Sequence, residues 1–506
     1  MAMFNTDNLM KATLAKLNEI VTGGDENASA DVNNFVSWCM PGIPFIEEDF
    51  NFLEKGFSVT PSSTAPAPPP ADSPSGQTQP APLSAADETR KLIRNAAMFA
   101  MFSDFVPDPA AIYDMDQTQT LDRDSQERLS NIYKNILQFA KVTNMQPSEE
   151  EKEKLKRFKG LIYQEIEETN LVDPTKKTTR VVPAPMMQAY TQMEALYQAA
   201  VLLYNSKRID ALTSDNAAAV LDFSMNAPVY RQKVQMAQAG WVSGGYKNEV
   251  DEITAYIDQV TRRSMSIWFA ELKDVLEKGA FNDAFTGQTF YPTLLYPSSF
   301  ARNADWPSFN FHQSDYETNF HKVTNAWGAS GGIGFGLWSV GAGASGSSER
   351  ITSDSEFSSY EMSFDLAVVK ILRPWFGTEL FSCHGWKLEQ DSWMFGDAQL
   401  SDGGNPPQGS FIAYSTHAIF AKNLKVQFDQ ASWESSSFRS QLNTSASVGW
   451  GPFSVSGSYS RSQEDRHFEA HDTGSGFECP GMQLLGFINR KNGKVPDPAP
   501  DAVFEE

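Results

Sequence analysis

Ser330–Arg350 reads S-G-G-I-G-F-G-L-W-S-V-G-A-G-A-S-G-S-S-E-R, and Ser445–Asp465, 115 residues further on, reads S-A-S-V-G-W-G-P-F-S-V-S-G-S-Y-S-R-S-Q-E-D. Laid ungapped, the two place Ile333 on Val448, Phe335 on Trp450, Trp338 on Phe453, Val340 on Val455 and Glu349 on Glu464. Apolar residues alternate with Gly or Ser, pause at Gly336-Leu337 or Gly451-Pro452, and alternate again toward a charged exit. Period-2 alternation is the signature of a β-strand with two unlike faces. Each stretch therefore reads as an amphipathic β-hairpin.

One face of each hairpin is apolar: Ile333, Phe335, Trp338 and Val340 in the first, Val448, Trp450, Phe453, Val455 and Tyr459 in the second. The opposite face is Ser and Gly without charge. Soluble sheet surfaces usually carry Lys, Glu and Thr on the wet side, so a small uncharged face points to close contact with something. Three settings fit: an ordinary sandwich face, a bilayer, or another subunit. Arms of about 8–9 residues come close to the ~9–11 of a tilted transmembrane strand. The pattern resembles that of β-barrel pore-forming toxins, a likeness confined to these two stretches and resting on their composition. It implies insertion of paired hairpins into a membrane, with the nine apolar residues named above at the membrane or subunit contact.

Period 2 also disposes of two motifs lying on the first stretch. Gly328-Ala329-Ser330-Gly331-Gly332 matches a nucleophile elbow, and Gly341, Gly343 and Gly346 match a dinucleotide loop. Both motifs require a helix directly afterwards, which a glycine-laden strand cannot supply. His467 and His471 have zinc-helix spacing, yet on a strand they stand about 13 Å apart. The calcium-like run from Asp114 has Gln119 and Ser125 where Gly and Glu are needed. No acid, base and nucleophile come together, so the chain reads as non-enzymatic, with no cofactor, metal or small-molecule substrate.

Outward from the hairpins, residues 286–490 read as a β-rich, antiparallel domain. Glu361–Leu372 and Ser410–Phe428 have strand composition, and Asp402-Gly403-Gly404-Asn405-Pro406-Pro407 marks a turn. Residues 86–282 carry helical stripes at Leu92–Phe105, Leu129–Ala140, Leu155–Ile166, Tyr190–Tyr204 and Val250–Val275, which predict a helical bundle. Residues 58–85 are a Pro/Ser/Ala-rich linker able to reach roughly 80 Å when extended. Residues 1–57, with an apolar stripe at Met10, Leu14, Leu17 and Val21, are too few for a core of their own and must dock on the body or on a neighbour. Residues 491–506 form an acidic, Pro-containing tail. The expected class is α+β: an N-terminal helical bundle followed by an antiparallel β-rich domain with two similar hairpins.

The 506 residues carry a net charge of −22 and three widely spaced cysteines. That charge argues against nucleic acid, and the cysteine spacing against a disulfide framework. No basic segment followed by an apolar core opens the sequence, which predicts a cytoplasmic product whose membrane association would follow release. The expected partners are further copies of the chain or membrane lipid. Two functions follow: a β-barrel pore former, or a cytoplasmic scaffold in which the N-terminal arm is exchanged between subunits. A glycan- or peptide-binding module, suggested by Trp386 and Trp393, comes third.

Overall fold

Two long strands set the frame. Tyr360–Leu372 and Ala413–Phe428 pair antiparallel along most of their length, as their β-branched and aromatic composition predicts. The computed structural model describes residues 4–22, 34–57, 85–107, 119–121, 128–143, 149–169, 177–213, 217–261, 265–282, 289–312, 315, 335–340, 356–357, 359–389, 398–405, 407–444, 447–450, 452–461, 464–468, 470–500 and 502–504. Across the ten-stranded sheet the main order is Ser308–His312, Tyr360–Leu372, Ala413–Phe428, Met482–Lys491, Asn34–Phe45, Phe335–Val340 and Gln119–Leu121. Leu294–Tyr296, His471–Asp472 and Gly476–Cys479 pair alongside.

The sheet is not built from residues 286–490 alone, and it is not wholly antiparallel. Asn34–Phe45, from the N-terminal segment, lies inside it. Asn34–Phe45 and Gln119–Leu121 run parallel to Phe335–Val340 on its two sides. Parallel pairing needs long crossovers, and these strands come from widely separated parts of the chain.

Both faces are covered. Tyr360, Met362, Phe364 and Leu366 enter one core, then the phase changes and Val369 and Ile371 enter the opposite one. The first core is closed by the helix Thr6–Thr22, through Leu9, Ala12, Leu14, Leu17 and Ile20, and by Trp433 and Phe438. The second is closed by Ala85–Ser103, through Leu92, Ala96, Phe99 and Phe102, and by Phe45, Phe50 and Phe52. A third core joins Leu129–Phe139 and Met265–Gly279 to Trp375, Phe376, Trp386 and Phe411.

The helices thus divide between sheet faces and one another. Among the described residues, those that pack chiefly as helices are Glu149–Ile162, Pro185–Thr213, Ala217–Ser243 and Lys247–Thr261. The stripe Val250–Val275 belongs to two helices, Lys247–Thr261 and Met265–Gly279. The expected helical region also holds a β-hairpin, Tyr163–Thr169 with Lys177–Pro183. The tail is tied down at Lys494–Val495, which pairs with Ser401–Asp402.

Candidate functional site

Both look-alike stretches converge on the N-terminal arm. Phe335–Val340 pairs along it, with Phe335 opposite Val36, Gly336 opposite Ser37, Leu337 opposite Trp38 and Trp338 opposite Cys39. On the arm's other side Val36, Ser37 and Trp38 face Ile488, Phe487 and Gly486. The register then breaks, and pairing resumes at Ile43 opposite Leu484. Between Trp38 and Ile43 the arm has no partner on Met482–Lys491, and the second stretch meets it there, at Gly42.

That second stretch contributes strands of its own. Ser447–Trp450 pairs antiparallel with Phe453–Arg461, and Glu464–Phe468 adds a third strand. The Gly42 N–H donates to the Pro452 carbonyl at 2.7 Å, and Ser454 Oγ donates to the Gly42 carbonyl at 2.6 Å. Gln483 fixes the hairpin beneath. Its Oε1 accepts the Ser454 N–H at 2.9 Å and its Nε2 donates to the Ser454 carbonyl at 3.0 Å. Gln483 is 1% exposed, so these bonds are made where water cannot substitute for them.

The backbones approach closely enough to dictate residue type. A Cβ on Gly486 would lie 2.3 Å from the Ser37 carbonyl oxygen. One on Gly42 would meet Gln483 Oε1 and the Pro452 carbonyl, each at 3.0 Å. Farther along, Asn489 Nδ2 donates to Ser37 Oγ at 2.8 Å.

The arm helix is anchored by a buried charge. Lys16 Nζ donates to Asp210 Oδ1 and Asp315 Oδ2, each at 2.9 Å, and to the Asn310 carbonyl at 2.7 Å. Its side chain is 0% exposed, against 8% for Asp210 and 0% for Asp315. The Phe309 and Phe311 rings lie 5.5 and 5.9 Å from the ammonium, within cation–π range. Tyr360 links arm and hairpin. Burial pushes its phenol well above the usual range, while hydrogen bonds with Trp450 and Thr13 pull the other way. Burial likewise raises the thiols of Cys39 and, to about 12, of Cys479. None of the three cysteines forms a disulfide and all are buried, so Cys39 and Cys479 stay protonated and unreactive. The site grips a strand by packing and hydrogen bonds and holds no activated nucleophile among the described residues.

The contact residues expected from sequence fare unequally. Trp450, Phe453 and Val455 are 3%, 0% and 0% exposed. Trp450 packs on Phe428, Phe438 and Phe477 at 5.3, 4.9 and 5.9 Å, and Phe453 on Phe364 at 5.0 Å. Their apolar face therefore meets the protein's own core. The small polar face is not wet at Ser454 either, which is 3% exposed and fully hydrogen-bonded. Val448 lies opposite Ser456, and Tyr459 opposite Arg466.

Phe335, Trp338 and Val340 lie on one continuous strand, not on a hairpin turning at Gly336-Leu337, because parallel neighbours flank it on both sides. Ile333 and the elbow and dinucleotide-like motifs lie outside the described residues. His467 and His471 lie on strands rather than on a helix, and no group of three or more His, Cys, Asp or Glu suited to a metal occurs among the described residues. Trp386 is buried, with its indole N–H on the Leu380 carbonyl at 2.9 Å, so it offers no sugar platform; Trp393 lies outside the described residues. Sequence reading missed Lys16, Gly42, Gln483 and Gly486. Lys16 carried a signal, sitting in the same helical phase as Leu9, Ala12 and Ile20.

No family model, curated protein or solved structure matches the chain.

Proposed function

We propose that this is a non-enzymatic self-assembling protein in which the two Ser/Gly-rich stretches act as a clamp for an N-terminal arm, and that subunits are joined when the arm of one copy fills the clamp of another. The carrying observation is the convergence of both stretches on Asn34–Phe45: one lends a strand edge, the other seizes the bulge at Gly42. A shared slot gives two distant but similar sequences one job. Its contacts do not depend on which chain supplies the arm, the condition for exchange between protomers. Residues 58–85, rich in Pro, Ser and Ala, are suited to span the distance.

A second surface supports association. Leu221, Met225, Val229 and Met236 form a stripe on the helix Ala217–Ser243 and are 59%, 69%, 48% and 66% exposed. Contiguous apolar patches of this kind mark interaction surfaces, and a second copy brings a matching stripe to a two-fold contact. Membrane insertion by the second hairpin has weaker support, because Trp450, Phe453 and Val455 are already used in the core. Light scattering over a range of concentrations tests the proposal. The full chain associates and a Gly486→Val variant with a blocked slot does not; dye leakage from liposomes without association would sink the proposal in favour of insertion.

A further inference from the structure

At the anchor of the arm helix an amine is held between two acids from distant parts of the chain. Lys16 Nζ lies 2.9 Å from Asp210 Oδ1, on the helix Pro185–Thr213, and 2.9 Å from Asp315 Oδ2. The Lys16 and Asp315 side chains have no exposed surface, and Asp210 has 8%. Phe309 and Phe311, both buried, close the apolar side with their rings 5.5 and 5.9 Å from the nitrogen. An amine and a carboxyl group fixed in contact away from water are placed to condense, because geometry replaces the encounter that solution chemistry requires. The two acids differ in setting. Asp315 Oδ2 also accepts the His312 N–H at 2.8 Å, which fixes it beside the nitrogen. Asp210 stands in the last turn of its helix, where the macrodipole disfavours an anion. The Asn310 carbonyl accepts a further Nζ proton at 2.7 Å and steadies the amine between them.

We infer that Lys16 and Asp210 join in an amide cross-link with Asp315 as the proton carrier, a bond made once per chain and without turnover. As an ammonium Lys16 is no nucleophile. It becomes one by passing a proton to the Asp210 carboxylate, which leaves a neutral amine against a neutral carboxyl group. The nitrogen lone pair then attacks the carboxyl carbon. The Asp315 carboxylate takes a second proton from the nitrogen and delivers it to the departing hydroxyl, which leaves as water. The C–N bond has formed, one C–O bond has broken, and Asp315 ends as it began. A buried ammonium–carboxylate pair, costly to keep from water, is replaced by a neutral amide. The step is the same whether the arm belongs to its own chain or to another, so it stands apart from arm exchange.

Intact-mass spectrometry of the full chain in denaturant, followed as the purified protein ages, reads the bond directly, and a proteolytic map locates it. The expected product is lighter than its sequence by one water and yields a branched peptide joining Lys16 to Asp210. It runs as a monomer where the arm lies in its own chain, and as a multimer resistant to denaturant and reductant where the arm is exchanged. Both forms support the cross-link. Lys16→Arg and Asp210→Ala should keep the full sequence mass. Asp315→Asn, close in shape to the acid it replaces, should form the product at least about a hundredfold more slowly. Where a variant does not melt as the parent does, the branched peptide of the parent decides alone. A parent chain that keeps its full mass on ageing would overturn the inference. So would a lost water that maps to Asp402-Gly403, a pair able to close to a cyclic imide by itself. A branch at Asp315 in place of Asp210, or an unchanged rate in Asp315→Asn, would overturn the roles given to the two acids.

Discussion

Replacing Lys16 by methionine asks how firmly the arm is held. The substitution keeps the length and much of the packing of the side chain and removes only the ammonium and its three bonds. What remains is Asp210 and Asp315 in an interior where the lysine had no exposure and Asp315 has none. Breaking a buried pair by deleting one partner costs about 3–5 kcal/mol, because the surviving charge is left uncompensated. Two surviving carboxylates place the expected loss at the top of that range, about 5 kcal/mol, comparable with the whole stability of many domains. Restoring neutrality with Asp210→Asn and Asp315→Asn in the same chain should recover more than half, since neutral replacement of an entire buried ionic group is often tolerated. Urea unfolding gives the magnitudes, and hydrogen exchange gives the location. Protection should fall first in Thr6–Thr22, then in Val36–Trp38 and their partners Gly486–Ile488, while Leu129–Phe139 and Met265–Gly279, which belong to another core, keep theirs. A loss below about 1 kcal/mol, or an even loss of protection throughout, would refute the reasoning that this buried charge anchors the arm.

Three further expectations rest on single contacts. Gly486→Ala puts a Cβ 2.3 Å from the Ser37 carbonyl oxygen and should cost about 1–3 kcal/mol by overpacking, whereas Gly493→Ala, with nothing within 4 Å, should stay within about 0.5 kcal/mol in the same melt. Gln483→Leu strips both partners from the buried Ser454 backbone and should cost about 2–3 kcal/mol, read by urea midpoint with an unchanged slope. Burial and the Lys370 charge lower His417 from 6.5 to about 3, and its Nε2 has no hydrogen-bond partner among the described residues. The unfolded chain therefore binds a proton that the folded one refuses, and stability falls as pH drops from about 6.5 toward 3. His417 is half-buried, and the roughly 1.5 pH units between the unfolded value and pH 5 hold the loss there at or below about 2 kcal/mol. His417→Gln should flatten the profile above pH 5, and an unchanged profile would show that His417 is not the titrating group.

Local pattern was legible and partnership was not. β-Branched and aromatic composition marks Tyr360–Leu372 and Ala413–Phe428, and period 2 marks Ser447–Trp450 and Phe453–Arg461 as strands, because both signals are written into consecutive residues. The same alternation in Phe335–Val340 looks identical on paper, yet its neighbours come from Asn34–Phe45 and Gln119–Leu121. Nothing in a strand's own sequence specifies a parallel partner some 200 or 300 residues away. Helical stripes behave likewise: Leu92, Ala96 and Phe99 announce a buried face without saying that a sheet covers it. The clamp was legible as a pair of unusual stretches but not as a clamp. Its decisive members are a glycine in an apolar run, Gly486, and a glutamine, Gln483, whose importance lies in how closely another backbone passes. The apolar face of the second hairpin suited lipid and core alike, and burial of Trp450 and Phe453 came only with the fold.

The claim that the clamp accepts an arm from another copy is tested most directly by a trapped disulfide. Asn34 and Arg490 are register partners across the arm and its neighbour strand, and directly opposed antiparallel residues lie within disulfide reach. Chains carrying only Asn34→Cys are mixed with chains carrying only Arg490→Cys, oxidised, and run without reductant, with a chain carrying both as the control for self-closure. The account predicts a reducible band of twice the chain's mass in the mixture, absent from either chain alone and lost when Gly486→Val blocks the slot. Self-closure of the double variant together with only monomers in the mixture would contradict it, placing every arm in its own clamp.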